Sequence, residues 1–154
     1  MRNDGSRHVQ RARPVAPSAW ARWRTLSCFD VRTTLLAAAL LPLMHVGIRM
    51  EGGVRVIAWL RRGSRHPGFP SGAAVVHRVA WAVARASNRG IHAGNCLSRS
   101  LTLIWLLRRH DVVAELRLGA RLEEQRFEAH AWVVWEGMVL NDSPSVGLRF
   151  TRLG

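Results

Sequence analysis

Cys96, His130 and Asp142 are the residues whose types and order could do chemistry, with His130 standing 34 residues beyond Cys96 and Asp142 a further 12. A thiol, an imidazole and a carboxylate in that chain order can form a nucleophile, its general base and the group that orients the base. Taken singly, each has a plainer reading. A free cysteine is commonly a small buried hydrophobe, a lone histidine a structural one, and an aspartate a turn residue. The second cysteine, Cys28, has no comparable pattern after it.

Cys96 opens the apolar run CLSRSLTLIWLLRRH, where Leu97, Leu101, Ile104 and Leu107 or Trp105 supply a helical face and Arg108 and Arg109 close the last turn. Asn95 reads as the N-cap, leaving Cys96 in the first turn. Exposed amides and the helix dipole there favour a thiolate. In this reading His130 holds the thiolate as an ion pair and later protonates the leaving amine, while Asp142 fixes the imidazole's tautomer. The Cys96 amide is a natural oxyanion donor, with Asn95 as a candidate helper. Trp132, on the same strand face as His130, is a candidate supporting residue.

Two strands must position the imidazole. Ala114, Leu116, Leu118 and Ala120 alternate with Glu115, Arg117, Gly119 and Arg121, the period of a half-buried strand. After a polar turn at Glu123 to Arg126, FEAHAWVVW alternates again, with His130, Trp132 and Val134 on one face, and MVLND follows as a third short strand. A three-residue loop Trp135-Glu136-Gly137, with glycine at its left-handed third position, would pair Trp132 with Leu140 and His130 with Asp142, Cβ atoms about 5 Å apart. A two-residue Glu136-Gly137 turn would put His130 and Asp142 on opposite faces. The catalytic reading therefore calls for the longer loop.

The rest of the chain is read as scaffold. Residues 1–25 carry scattered arginines, two prolines and no sustained apolar period, and read as a flexible basic arm. Leu35 to Ile48 is the most hydrophobic segment. At about 14 residues, against the roughly 20 that span a bilayer, and containing Pro42 and His45, it reads as a core helix with no transmembrane span. Val54 to Arg62 reads as a short helix, Gly63 to Gly72 as a breaker-rich loop, and Ala73 to about Ser87–Gly90 as a helix with a stripe through Val75, Val76, Val79, Ala80, Val83 and Ala84. His77 falls at the rim of that stripe. Leu148 to Leu153 is a candidate further strand. Helices first and strands last make an α+β layout, one domain over 26–154.

Composition narrows the function classes. With 154 residues, 48% of them hydrophobic and 21% charged, the chain has enough apolar residues for one folded core. Its net charge of +13 suits nucleic acid, an anionic membrane surface or an acidic partner. All the basic side chains are arginine, which with the abundance of alanine and glycine looks like coding bias, and no zinc-finger spacing or aromatic RNA-binding signature is present, so nucleic acid is the disfavoured partner. Two cysteines in unlike contexts point to a reducing compartment, the cytoplasm. No CxxC pair offers a structural zinc site; no metal or cofactor is expected.

The strings CLSRSLTLIWLLRRH, LRLGARL and FEAHAWVVWEGMVLND resemble the leader peptidase of lasso-peptide biosynthesis, in its stand-alone, split B-type form, within the transglutaminase-like and papain-like cysteine peptidase superfamily. The resemblance is strong from Cys96 to Asp142 and weaker from Leu35 to Arg89, and it does not cover the arm. It implies a papain-like core with helices packed on a small antiparallel sheet, and a Cys96-His130-Asp142 triad that removes the leader from a ribosomally made precursor. Its implied partners are that precursor, a small leader-recognition protein and an ATP-dependent, asparagine-synthetase-like cyclase. An arm of this length leaves no room for a fused recognition domain. Two other functions fit the same residues or charge: a transglutaminase-type acyltransferase, in which an amine replaces water at the thioester, and a noncatalytic basic adaptor for a membrane or nucleic acid.

Overall fold

The first described helix begins where a capping box can form. Ser27 Oγ accepts from the Asp30 amide and the Asp30 carboxylate accepts from the Ser27 amide, so two amides that a helix start leaves unpaired are satisfied reciprocally. The computed structural model describes residues 27–62, 72–89, 95–123 and 125–153. The basic arm expected over 1–25, and the loop expected over 63–72 apart from Gly72, lie outside the described residues.

Along the described chain, α1 (Cys28–Glu51), α2 (Gly53–Arg62), α3 (Ala73–Arg89) and α4 (Cys96–Arg108) precede β1 (Glu115–Glu123), β2 (Arg126–Trp135) and β3 (Met138–Val139), and a short helix α5 (Val146–Arg149) leads into β4 (Thr151–Arg152). The strands form one antiparallel sheet in the order β3-β2-β1-β4. The α+β class and the helices-then-strands layout are as expected. α1 is longer than the apolar run Leu35–Ile48, because the Ser27 cap admits an extra seven residues before it and Pro42 is carried inside the helix.

α4 is the central element. Leu101, Leu103, Ile104, Leu106 and Leu107 are all at most 5% exposed, so α4 is buried on several sides and not along one stripe alone. It packs with Ala37, Leu40 and Leu41 of α1, Val76, Val79 and Val83 of α3, and Val133 of β2 in the main core. The opposite face of the sheet is covered by the chain's return. Trp132 and Val134 of β2 pack there with Val146 and Phe150. Fully burying each such aliphatic or aromatic side chain contributes about 1.5–3 kcal/mol before chain entropy is subtracted. Burial on both faces explains why β2 reads as alternating at its start and as continuously apolar from Ala131 to Val134.

The β2–β3 register departs from the expectation. The pairs are Val134 with Val139 and Trp135 with Met138, so the connection is the two-residue Glu136-Gly137 turn, with φ of 47° and 81°. Both values are positive, as a type I′ hairpin turn requires. The three-residue loop and the direct cross-strand pairing of His130 with Asp142 are therefore wrong. The strand expected over MVLND also shortens to Met138–Val139, and the strand expected over Leu148–Leu153 becomes α5 and the two residues of β4. Leu140 still donates its amide to the Val133 carbonyl at 3.0 Å. At the next position a side chain replaces the backbone, as Asn141 Oδ1 accepts from the Val133 amide at 2.8 Å. The chain has left the ladder there, and strict alternation of faces no longer governs Asp142.

Candidate active site

Despite the corrected register, His130 and Asp142 meet. His130 Nε2 lies 2.6 Å from Asp142 Oδ2. Asp142 Oδ1 accepts from the Ser143 amide at 2.6 Å and from the Arg149 guanidinium at 3.3 Å. Burial works to raise the Asp142 pKa, yet the bond to His130, the bond from the Ser143 amide and the charges of His130 and Arg149 together bring it below the ordinary carboxylate value. An ionised carboxylate only accepts. The Nε2–H of His130 therefore donates to Asp142, and Nδ1 is the ring nitrogen that the carboxylate does not engage.

The imidazole rests on an aromatic wall. Its ring is stacked 4.8 Å from Phe150 and 6.2 Å from Trp132, centroid to centroid. Trp132, 2% exposed, packs over Gly119, the cross-strand partner of His130. A Cβ at Gly119 would stand 2.8 Å from both Trp132 Cη2 and Phe150 Cβ, so only glycine admits that packing. Trp132, the candidate supporting residue, is thus buried with its ring stacked beside the imidazole.

Cys96 occupies the first turn of α4, partly buried and with a free thiol. Asn95 is the N-cap, as expected, and its Oδ1 accepts from the Leu97 amide at 3.1 Å. The Cys96 amide belongs to the first turn, whose donors have no intrahelical acceptor. Ser100 follows one turn later on the same side of α4, and its hydroxyl donates to the carbonyl of Ala131, next to His130, at 3.0 Å. Arg99 donates to the carbonyl of Asn141, next to Asp142, at 2.5 Å. Asn141 closes the circuit by donating from Nδ2 to Ser100 Oγ at 2.9 Å. The beginning of α4 is tied in this way to the neighbours of both other candidates. Among the described residues no hydrogen bond joins the Cys96 thiol to His130; the pair in contact is His130–Asp142, and catalytic hydrogen bonds commonly tighten only with substrate bound.

Ser100, Asn141, Gly119 and Phe150 were not singled out by sequence reasoning. Ser98 and Ser100 among the apolar residues of α4 were the available signal, since a buried hydroxyl needs a partner. Asn141 offered none, because its role depends on the register. The described residues contain no cluster of three or more His, Cys, Asp or Glu side chains able to hold a metal ion.

A cysteine in the first turn of a helix, with a strand histidine paired to an aspartate beside that helix, supplies the residue types of enzymes that work through a thioester. Residues 37–154 match the transglutaminase-like superfamily (Transglut_core3), and the chain belongs to that superfamily, whose members are usually cysteine proteases or acyltransferases. Neither a search of the curated proteins nor a search of the solved structures gives a match.

Proposed function

We propose that the protein is a cysteine peptidase that removes the leader from a ribosomally synthesised lasso-peptide precursor. The observation that carries the reading is the 2.6 Å contact of His130 Nε2 with Asp142, beside the helix whose first turn holds Cys96. With Asp142 on Nε2, the general base is Nδ1. It takes the Cys96 proton, and the thiolate attacks the scissile carbonyl. The oxyanion that forms is met by the Cys96 amide; since the Asn95 Oδ1 is committed to Leu97, any help from Asn95 comes from its Nδ2. The imidazolium then returns the proton to the leaving amine, which frees the core peptide. Water, deprotonated by the same imidazole, hydrolyses the thioester and regenerates the thiol. Asp142 stabilises the imidazolium through both halves of the cycle. No metal or cofactor enters these steps.

Its partners in this reading are the precursor, a small leader-recognition protein and an ATP-dependent, asparagine-synthetase-like cyclase, and its compartment is the reducing cytoplasm, which keeps Cys96 a thiol. The test is mass spectrometry of precursor incubated with enzyme and recognition protein, with and without an added primary amine. Loss of the leader mass supports the peptidase, whereas an amine adduct assigns the acyltransferase. Cys96→Ala should abolish processing by at least about 10³-fold with an unchanged circular dichroism melt. Processing that survives that substitution would leave a noncatalytic adaptor as the better reading.

A further inference from the structure

α1 turns two apolar faces outward from its axis, and only one of them is used by the core. Ala37, Leu40, Leu41 and Met44 are buried against the other elements. On the other side Val31, Leu35, Leu43, Val46 and Met50 are 45%, 66%, 64%, 49% and 78% exposed. At 100° per residue Val31, Leu35, Val46 and Met50 fall within an arc of about 100° on the helix, and from Val31 to Met50 they extend along roughly 28 Å of it. The helix is 24 residues long and apolar enough to cross a membrane by length and composition, yet only 28% of its most apolar window is buried. A helix that served only the core would have a polar outer face.

Among the described residues, the charges on α1 that lack a partner of opposite sign are positive. Arg32 and Arg49 are exposed on α1, whereas its acidic residues are engaged elsewhere: Asp30 with Arg78 at 2.8 Å and the Ser27 cap, Glu51 with Arg55 at 3.0 Å. The 26 residues preceding Ser27 in sequence contain six arginines and one acidic residue, with Trp20 and Trp23 interleaved among the last of them. Tryptophan and arginine are the side chains that favour a bilayer's headgroup region.

We propose that α1 docks in the plane of an anionic lipid bilayer, its Val31–Met50 stripe at the acyl boundary and the surrounding arginines among the headgroups. It lies along the surface and does not cross, because its opposite face is committed to α3 and α4 in the core. Apolar burial and attraction to anionic lipid act together in such interfacial helices.

The test uses the full chain and a Leu35→Gln, Val46→Gln, Met50→Gln triple variant, which keeps the net charge of +13 and touches exposed positions, so its thermal melt should match the wild type. Both proteins are floated with vesicles of phosphatidylcholine alone and of phosphatidylcholine mixed with phosphatidylglycerol. The wild type should float with the anionic vesicles only, and the triple variant should bind them at least about tenfold more weakly. Equal binding by the two proteins would show that charge alone suffices and overturn the proposal, as would equally strong wild-type binding to phosphatidylcholine alone. Flotation of neither protein would overturn it too; a wild-type dimer that the triple variant dissolves would then assign the face to a second copy of the chain.

Discussion

Asp142 carries the clearest residue-scale prediction because its carboxylate is held ionised by identifiable partners. Its pKa lies below the ordinary value, since the bonds from His130 and the Ser143 amide, with the charges of His130 and Arg149, outweigh the burial that opposes them. A depressed carboxylate stabilises the folded state above its unfolded pKa, about 3.9 for aspartate, and that stabilisation is lost as pH falls through the folded value. The melting temperature of wild type should therefore exceed that of Asp142→Asn at neutral pH, and the gap should close below about pH 4. A gap independent of pH would mean that packing, not charge, anchors the residue. At neutral pH the same variant should lose about 10²–10⁴-fold in processing rate, because an amide orients the imidazole but stabilises the imidazolium poorly. The three candidate residues were legible from type, spacing and context. Their geometry was not: the expected route to the His130–Asp142 contact was a ladder register that the structure does not have, and the contact arises from a departure from that ladder.

That departure belongs to the scale of elements. Helix α4 and strands β1 and β2 announce themselves through apolar period, caps and alternation, because each is long enough to show one. The two-residue β3 shows no period at all. Its turn was hard to read because Glu136 stands at a positive φ where asparagine, aspartate or glycine is preferred, so the tripeptide ending in Gly137 suggested a longer loop. What holds the segment after Val139 is side-chain chemistry: Asn141 bridges the Val133 amide and Ser100 Oγ, and Arg99 holds its carbonyl. Asn141→Ala would leave the Val133 amide without its acceptor and Ser100 Oγ without its donor, a loss of about 1–3 kcal/mol for a buried unsatisfied group. Chemical denaturation should read that loss as a lower midpoint with unchanged slope. Processing should fall as well, since Asp142 is the next residue along the chain. A variant as stable as wild type would show that the network does not fix this segment.

At the scale of the whole molecule, membership of the transglutaminase-like superfamily over residues 37–154 limits the chemistry, and the net charge of +13 bears on what is captured. The sum of charges was readable from composition, but its sign at particular surfaces required the fold, because many carboxylates are already matched: Glu115 is paired with both Arg117 and Arg152, and Glu128 with Arg121. The unmatched excess is positive, and an acidic leader presented to such a surface is drawn in by a long-range field. In the proposed function a field of this kind accelerates encounter and contributes little to the chemical step, because His130 and Asp142 are partly buried and salt screens them weakly. Raising ionic strength from about 0.01 to 0.5 M contracts the Debye length from about 30 Å to a few ångströms. Over that range kcat/KM for an acidic precursor should fall by about tenfold or more, while kcat at saturating substrate stays constant. A neutralised leader should lose the salt dependence of kcat/KM and keep the same kcat. If kcat/KM for the acidic precursor is flat across that range, the excess of arginine has no part in capturing substrate and its role lies with another partner.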